Sequence, residues 1–75
     1  MKTYIITIET IDDTFEDIQE FVYNEFSRLE DIELVEQFGN NYRCEITVQD
    51  DFHYGIFEDV MDNAGYDIEF IELYK

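Results

Sequence analysis

Apolar residues recur with a period of two in some segments of this 75-residue chain and with the helical period in others. This pattern is the feature that most constrains how the chain can fold. In residues 42–49 the side chains of Tyr42, Cys44, Ile46 and Val48 alternate with polar ones, a period of two that is typical of a strand with one buried face. The same criterion predicts strands over residues 3–11, 32–38, 42–49 and 67–74. The turn residues Gly39 and Asn40 favour a hairpin between the second and third strands.

Two segments repeat their apolar residues at the helical period instead. Residues 14–29 place Ile18, Val22, Phe26 and Leu29 on one side, which predicts an amphipathic helix. Thr14 with Asp17, like Asp13 with Glu16, has the spacing of a capping box. We expect a second helix to open at Asp50-Asp51 and to end at Gly65. Its apolar face is predicted to contain Phe52, Ile56, Val60 and Ala64, widened by Phe57 and Met61.

An internal repeat supports this order of elements. Residues 31–36 (Asp-Ile-Glu-Leu-Val-Glu) match residues 67–72 (Asp-Ile-Glu-Phe-Ile-Glu), which indicates two strand–helix–strand units related by a pseudo-twofold. Two such units joined by a hairpin resemble the ferredoxin-like βαββαβ sandwich over the whole chain. The resemblance implies an α+β fold with one domain over residues 1–75, a four-stranded antiparallel sheet in the order 4-1-3-2, and both helices on one face. Residues 3–9 and 43–48 would then be adjacent central strands.

The charge balance limits what this chain can bind. Twenty acidic residues against four Lys and Arg give a net charge of −16. Without a cationic surface the chain is not expected to bind nucleic acid directly or to dock on an anionic membrane. A small domain needs a net charge of magnitude about 2–8 for solubility, so this excess indicates a functional acidic surface.

Other classes of function find no support in the sequence. The single cysteine, Cys44, excludes an internal disulfide and a Cys-rich zinc site, and its alternation predicts a buried side chain. No nucleophile with a base partner and no phosphate loop is apparent, so we predict neither an enzyme nor a cofactor. The start lacks a signal-peptide pattern and no apolar run is long enough to span a bilayer, so cytoplasmic location is the expectation.

Two Asp pairs are the candidate metal ligands. Asp12-Asp13 and Asp50-Asp51 each precede a predicted helix. With strands one and three taken as parallel neighbours, we expect the four carboxylates to gather at one end of the sheet. Helix capping is the favoured role for them. A divalent-cation site is the alternative, because hard cations prefer carboxylate oxygens.

The remaining acids form three candidate clusters for binding a partner. The clusters are Glu16, Asp17 and Glu20 on the first helix; Glu58, Asp59 and Asp62 on the second; and Glu9, Glu33, Glu45 and Glu69 on the sheet face away from the helices. Carboxylates at helical or strand intervals lie about 5–7 Å apart and can imitate a row of phosphates. We expect Ile71 and Leu73 to share that sheet face with Ile5 and Val35, and Tyr23 and Tyr54 to add exposed aromatic contacts.

In size, charge, aromatic content and lack of catalytic motifs the chain is similar to the small acidic inhibitors of bacterial defence enzymes that phages encode, of the anti-restriction and anti-CRISPR kind. That similarity implies an acidic protein that occupies the nucleic-acid-binding surface of a basic enzyme in the cytoplasm of a host cell. The alternative is a small regulatory or oligomerisation domain that dimerises through its open sheet face. The partner is therefore either a basic nucleic-acid-binding protein or a second copy, and the chain itself is a monomer or a homodimer.

Overall fold

The computed structural model describes the backbone of residues 1–74 and the side chains of residues 1–73. Lys75, the last residue of the predicted domain, lies outside the described residues. The elements follow the order β1 (Lys2–Glu9), α1 (Phe15–Glu25), β2 (Leu29–Phe38), β3 (Asn41–Val48), α2 (Tyr54–Asn63) and β4 (Asp67–Tyr74). This confirms the predicted sequence of four strands and two helices. Among the described residues, no helix is long and apolar enough to cross a bilayer.

The four strands form one antiparallel sheet in the order β2-β3-β1-β4. This is the predicted order read from the other edge. β1 and β3 are the central pair, and Ile6 lies opposite Cys44 at its middle. The chain is therefore α+β, and the central strand β1 makes both of the longest-range strand pairings, one with β3 and one with β4.

The register of the strands confirms the internal repeat. On β2, Ile32 lies opposite Ile46 and Leu34 opposite Cys44. On β4, 36 positions later, Ile68 lies opposite Ile8 and Phe70 opposite Ile6. Both outer strands then shift register by one residue, at Val35 in β2 and at Ile71 in β4. The matching bulges show that the two halves of the sheet are related by a pseudo-twofold axis near the Ile6–Cys44 pair.

The hydrophobic core lies between one face of the sheet and both helices. It joins Ile6, Ile8, Cys44 and Ile46 of the central strands to Ile18 and Val22 of α1 and to Phe57 and Met61 of α2. The rings of Phe26, Phe52 and Phe57 pack together beside this cluster, with centroids 4.9–6.3 Å apart. Alternate side chains of each central strand point into this core. Both helices pack on the core side, and we call the opposite face of the sheet the open face.

Three predicted boundaries are wrong. α1 ends at Glu25, because Phe26 turns to an extended conformation, and Leu29 begins β2 opposite Val48 instead of ending the helix. β1 ends at Glu9, which leaves Ile11 83% exposed in the following turn. The segment after β3 does not become helical until Tyr54.

The predicted apolar face of α2 is also rotated from the observed one. Phe57 and Met61 are fully buried, whereas Ile56 is 59% exposed and Ala64 is an exposed C-cap residue. Gly65 follows with a φ of +94°. The amide of Gly65 donates to the Asp62 carbonyl and that of Tyr66 to the Met61 carbonyl, so a Schellman motif ends the helix at the predicted glycine.

Candidate acidic interaction surface

The two Asp pairs do not form a site. β1 and β3 are antiparallel, so the turns that follow them lie at opposite ends of the sheet, and the prediction that four carboxylates gather there is wrong. Asp50 forms an ion pair with the Met1 amino group at 3.2 Å, and Asp51 forms one with Arg28 Nε at 3.4 Å. Within the described residues no group of three or more His, Cys, Asp and Glu side chains is arranged to hold a metal ion.

The capping roles fall to other residues. Thr14 is the N-cap of α1: its hydroxyl accepts from the Asp17 amide at 3.3 Å, and its own amide donates to the Asp17 carboxylate at 3.0 Å. This confirms the Thr14–Asp17 capping box. His53 occupies the N-cap of α2 and makes no capping hydrogen bond, while the contacts that the described residues give Asp50 and Asp51 are the two ion pairs and no bond to that helix. Asp13 instead accepts a hydrogen bond from the Tyr66 hydroxyl, which fastens the β1–α1 turn to the start of β4.

The strand register places eight acidic residues on the open face, although one of them, Asp31, turns its carboxylate to the β2 edge and accepts a hydrogen bond there from the Tyr23 hydroxyl of α1. They are Asp31, Glu33 and Glu36 on β2, Glu45 on β3, Glu9 on β1, and Asp67, Glu69 and Glu72 on β4. Sequence alternation found Glu9, Glu33, Glu45 and Glu69. It missed Glu36 and Glu72, because the bulges at Val35 and Ile71 shift these two residues to the open face. Asp31 and Asp67 lie two residues before Glu33 and Glu69, so the same alternation could have placed them on the open face.

Like charges face each other at two places on this face. Glu33 lies directly opposite Glu45, and Glu9 lies directly opposite Asp67. Such cross-strand pairs destabilise a sheet, since their Cβ atoms are about 4.5–5.5 Å apart. In the described part of the chain no cation lies within ion-pairing distance of any of these four carboxylates. The open face therefore holds unneutralised negative charge at a cost in stability.

Arg43 is the one basic side chain that the register of residues 1–74 places on the open face. It lies between Glu36 and Thr7, yet its guanidinium stacks over the Phe38 ring, 5.5 Å from the centroid. Among the described residues Arg43 Nε is buried without a hydrogen-bond partner. The arginine thus lies against the aromatic ring and leaves the surrounding carboxylates free.

An acidic cleft of about 540 Å³ connects the open face with α2. Among the described residues, six acids and no basic residue line it, together with Thr7, Asn41 and Ile68: the six are Glu9, Glu58, Asp59, Asp62, Asp67 and Glu69. The structure therefore brings the whole predicted α2 cluster to two members of the predicted sheet cluster. We call this site the β4 cleft.

The predicted α1 cluster lies elsewhere. Asp17 and Glu20 line a separate depression with Asp13, Phe21, Asn24 and Tyr66, and Glu16 is exposed in the first turn of α1. Asp17 is already engaged in the capping box. The α1 acids are thus separated from the β4 cleft.

The apolar candidates are placed differently from what we expected. Leu73 lies opposite Tyr4 and so faces the helix side of the sheet, and Ile71 lies at the bulge; both keep about two-fifths of their surface exposed. Tyr54 is half-buried, with its ring stacked on Tyr4 at 5.1 Å. Tyr23 is 43% exposed, but its hydroxyl donates to Asp31 and accepts from the Ile32 amide.

Among residues 1–73 three groups have clearly shifted pKa values, and burial is the largest cause of each shift. Burial raises the pKa of the Cys44 thiol to about 12, so the thiol stays protonated and unreactive. Burial, assisted by the Glu58 carboxylate, raises the pKa of Tyr54 to about 12. Burial and the hydrogen bond to Asp13 raise the pKa of Tyr66 well above its usual range. None of these groups is poised to exchange a proton near neutral pH.

Comparisons of the chain with protein-family models, with curated proteins and with solved structures gave no match.

Proposed function

We propose that this chain is a binding protein, not an enzyme, and that it occupies the nucleic-acid-binding surface of a basic protein with its β4 cleft and open face. The observation that carries the proposal is the β4 cleft, where six carboxylates converge and no basic side chain of the described part of the chain lines the wall. Carboxylates fixed by two different elements present a negative surface of defined shape. Lys and Arg that normally contact phosphates would pair with them, giving fast and salt-sensitive association.

The distribution of charge supports a binding role over simple solubility. A net charge of −16 is about twice the magnitude that solubility needs in a small domain. The excess includes Glu33 opposite Glu45 and Glu9 opposite Asp67, where neutral residues would be more stable. Retained repulsion of this kind is what a surface built to attract cations requires.

The size of the surface explains why two regions act together. Four strands about 4.8 Å apart, three of them 8 residues long and β2 10 residues long, give an open face of roughly 500 Å². A stable protein–protein interface takes about 800 Å² from each partner. A partner on the open face would therefore extend beyond that face, and the β4 cleft provides an acidic continuation of it.

We extend the proposal to the fold family and to the source of the chain. The strand order and the repeated bulges support a ferredoxin-like sandwich. The similarity in size and charge to phage-encoded inhibitors of restriction or CRISPR enzymes supports a bacterial nuclease as the partner and the host cytoplasm as the location. An open-face homodimer is the weaker candidate, because it would bring the open-face carboxylates of both copies together.

Charge reversal with a matched control tests the proposal. Asp59→Lys with Asp62→Lys reverses two charges in the β4 cleft, and Glu20→Lys with Glu25→Lys reverses two on α1. The assay measures binding of basic proteins from the heparin-retained fraction of a bacterial lysate, each identified and then titrated singly. We expect the cleft variant to lose at least tenfold in affinity and the α1 variant to lose less than threefold. Equal losses would show diffuse attraction in place of a site.

A further inference from the structure

The two edges of the sheet differ in a way that the repeat makes visible. At the β2 edge, α1 satisfies the backbone of Ile32: Gln19 Nε2 donates to its carbonyl at 3.3 Å, and its amide donates to the Tyr23 hydroxyl at 3.3 Å. Tyr23 in turn donates to Asp31 at 3.0 Å. These bonds show that the amide and carbonyl of Ile32 point away from β3, and that side chains of α1 cover this edge.

The equivalent position on β4 is Ile68. It matches Ile32 in the repeat and in its place opposite the core strand, so its amide and carbonyl also point outward. In the described part of the chain no side chain hydrogen-bonds to the amide or the carbonyl of Ile68. The hydrogen bonds between helix side chains and the backbone of an outer strand are those to Ile32 on β2. The β4 edge is therefore the uncovered one.

The reason lies in two substitutions between the helices. The two helices can be aligned by their buried residues, so that Ile18 of α1 corresponds to Phe57 of α2 and Val22 corresponds to Met61. In that alignment Glu58 stands where α1 has Gln19, and Asp62 stands where α1 has Tyr23. The Glu58 carboxylate has no proton to donate to the Ile68 carbonyl, whereas Gln19 donates to the Ile32 carbonyl. The Asp62 carboxylate is able to accept from an amide as the Tyr23 hydroxyl does, but among the described residues it makes no such bond, so α2 does not cover the edge as α1 does. Glu58, Asp62 and Ile68 all line the β4 cleft.

The side chains of β4 define what would fit beside it. Asp67, Glu69 and Glu72 point to the open face, whereas Ile68, Phe70 and Leu73 point to the helix side. Phe70 is 49% exposed and Leu73 38% exposed. A neighbouring strand with alternating basic and apolar residues would place cations beside the three acids and apolar groups beside Phe70 and Leu73. A second copy of β4 would set acids against acids instead.

We propose that β4 accepts an added strand from the partner: an extended segment in which Lys or Arg alternates with apolar residues, bonded along the free edge at the β4 cleft. This deepens the proposed function, on which it rests for the sign of the partner's charge. Backbone hydrogen bonds provide affinity in such strand addition, and the alternating side chains provide specificity. The acids that prevent two copies from pairing select a basic strand.

A defined peptide tests the inference. The probe is an eight-residue peptide that alternates lysine and valine, blocked at both ends, titrated by calorimetry and by amide NMR at 0.15 M salt. Two N-methylated forms carry methyl groups on alternate residues, one form on each set. We expect one form to lose at least tenfold in affinity and the other less than threefold, with amide shifts centred on residues 67–73. Equal effects of both forms, or no binding of the parent peptide, would overturn strand addition.

A transplant between the helices provides the second arm. Glu58→Gln with Asp62→Tyr rebuilds on α2 the side chains that cover β2, and Glu58→Ala with Asp62→Ala removes the same two charges without that cover. We expect the first variant to bind the peptide at least tenfold more weakly than the second. Equal binding by the two would refute the role of the free edge. The proposed function would still stand if charge reversal at Asp59 and Asp62 weakened binding to the basic protein, so the two failures are distinguishable.

Discussion

Replacing one open-face carboxylate should make this protein more stable. Glu45 lies directly opposite Glu33 on the neighbouring strand. Among the described residues no basic group forms an ion pair with either carboxylate. Two charges about 6 Å apart in a medium close to water repel by about 0.7 kcal/mol, within the range measured for cross-strand pairs. Glu45→Gln keeps the shape and removes the charge. A change of 0.7 kcal/mol should raise Tm by about 3–6 °C in a domain of this size.

A matched control has the opposite expected sign. Glu16 lies in the first turn of α1, where a negative charge interacts favourably with the helix dipole, so Glu16→Gln should lower the stability by about 0.3–1 kcal/mol. The assay is thermal unfolding followed by circular dichroism at 10 mM and at 1 M NaCl. The gain from Glu45→Gln should shrink by more than half at 1 M, where the Debye length is about 3 Å. A lower Tm for Glu45→Gln, or a gain that salt leaves unchanged, would refute the repulsion reasoning.

Three further outcomes follow from the structure. In urea unfolding, Thr14→Ala should reduce the free energy of unfolding by about 0.5–2 kcal/mol, whereas Asp50→Ala, which removes only an exposed ion pair, should change it by less than about 1 kcal/mol. The raised pKa values of Tyr54 and Tyr66 mean that the folded state holds protons that the unfolded state releases above about pH 10. Stability should therefore be unaffected by these groups below pH 10 and should fall as the pH rises further, with late tyrosine ionisation at 295 nm; early ionisation of all six tyrosines would contradict it. Cys44 should react with a thiol reagent only under unfolding conditions, and rapid labelling of the native protein would show that it is not buried.

The strand pairing could be predicted from the sequence because the hydrophobic pattern and the repeat agree. Alternation in residues 42–49 fixes which side chains of β3 are buried, and the 31–36 and 67–72 repeat indicates that the outer strands are equivalent. Together they support the resemblance to a ferredoxin-like sandwich, and that resemblance implied the order of the strands in the sheet. The Thr14–Asp17 capping box and the glycine at position 65 marked two helix ends correctly.

The remaining features depend on competition that local patterns do not express. The helical period continues to Leu29, but pairing with Val48 draws that residue into β2 and ends α1 early. The open-face positions of Glu36 and Glu72 depend on bulges, which a strict period of two cannot represent. The two Asp pairs were brought together only by taking β1 and β3 as parallel. The β4 cleft was beyond prediction because it requires the distance between α2 and β4, which only the packed structure defines.

The central claim is that the β4 cleft and the open face occupy the path of nucleic acid on a basic partner. The most direct test is a three-component titration of the identified partner with fluorescently labelled nucleic acid and increasing amounts of this protein, followed by anisotropy and by sizing of the complexes. We predict that the nucleic acid is displaced completely, that no ternary complex forms, and that Asp59→Lys with Asp62→Lys abolishes the displacement. A stable ternary complex in which neither ligand weakens the other would contradict it.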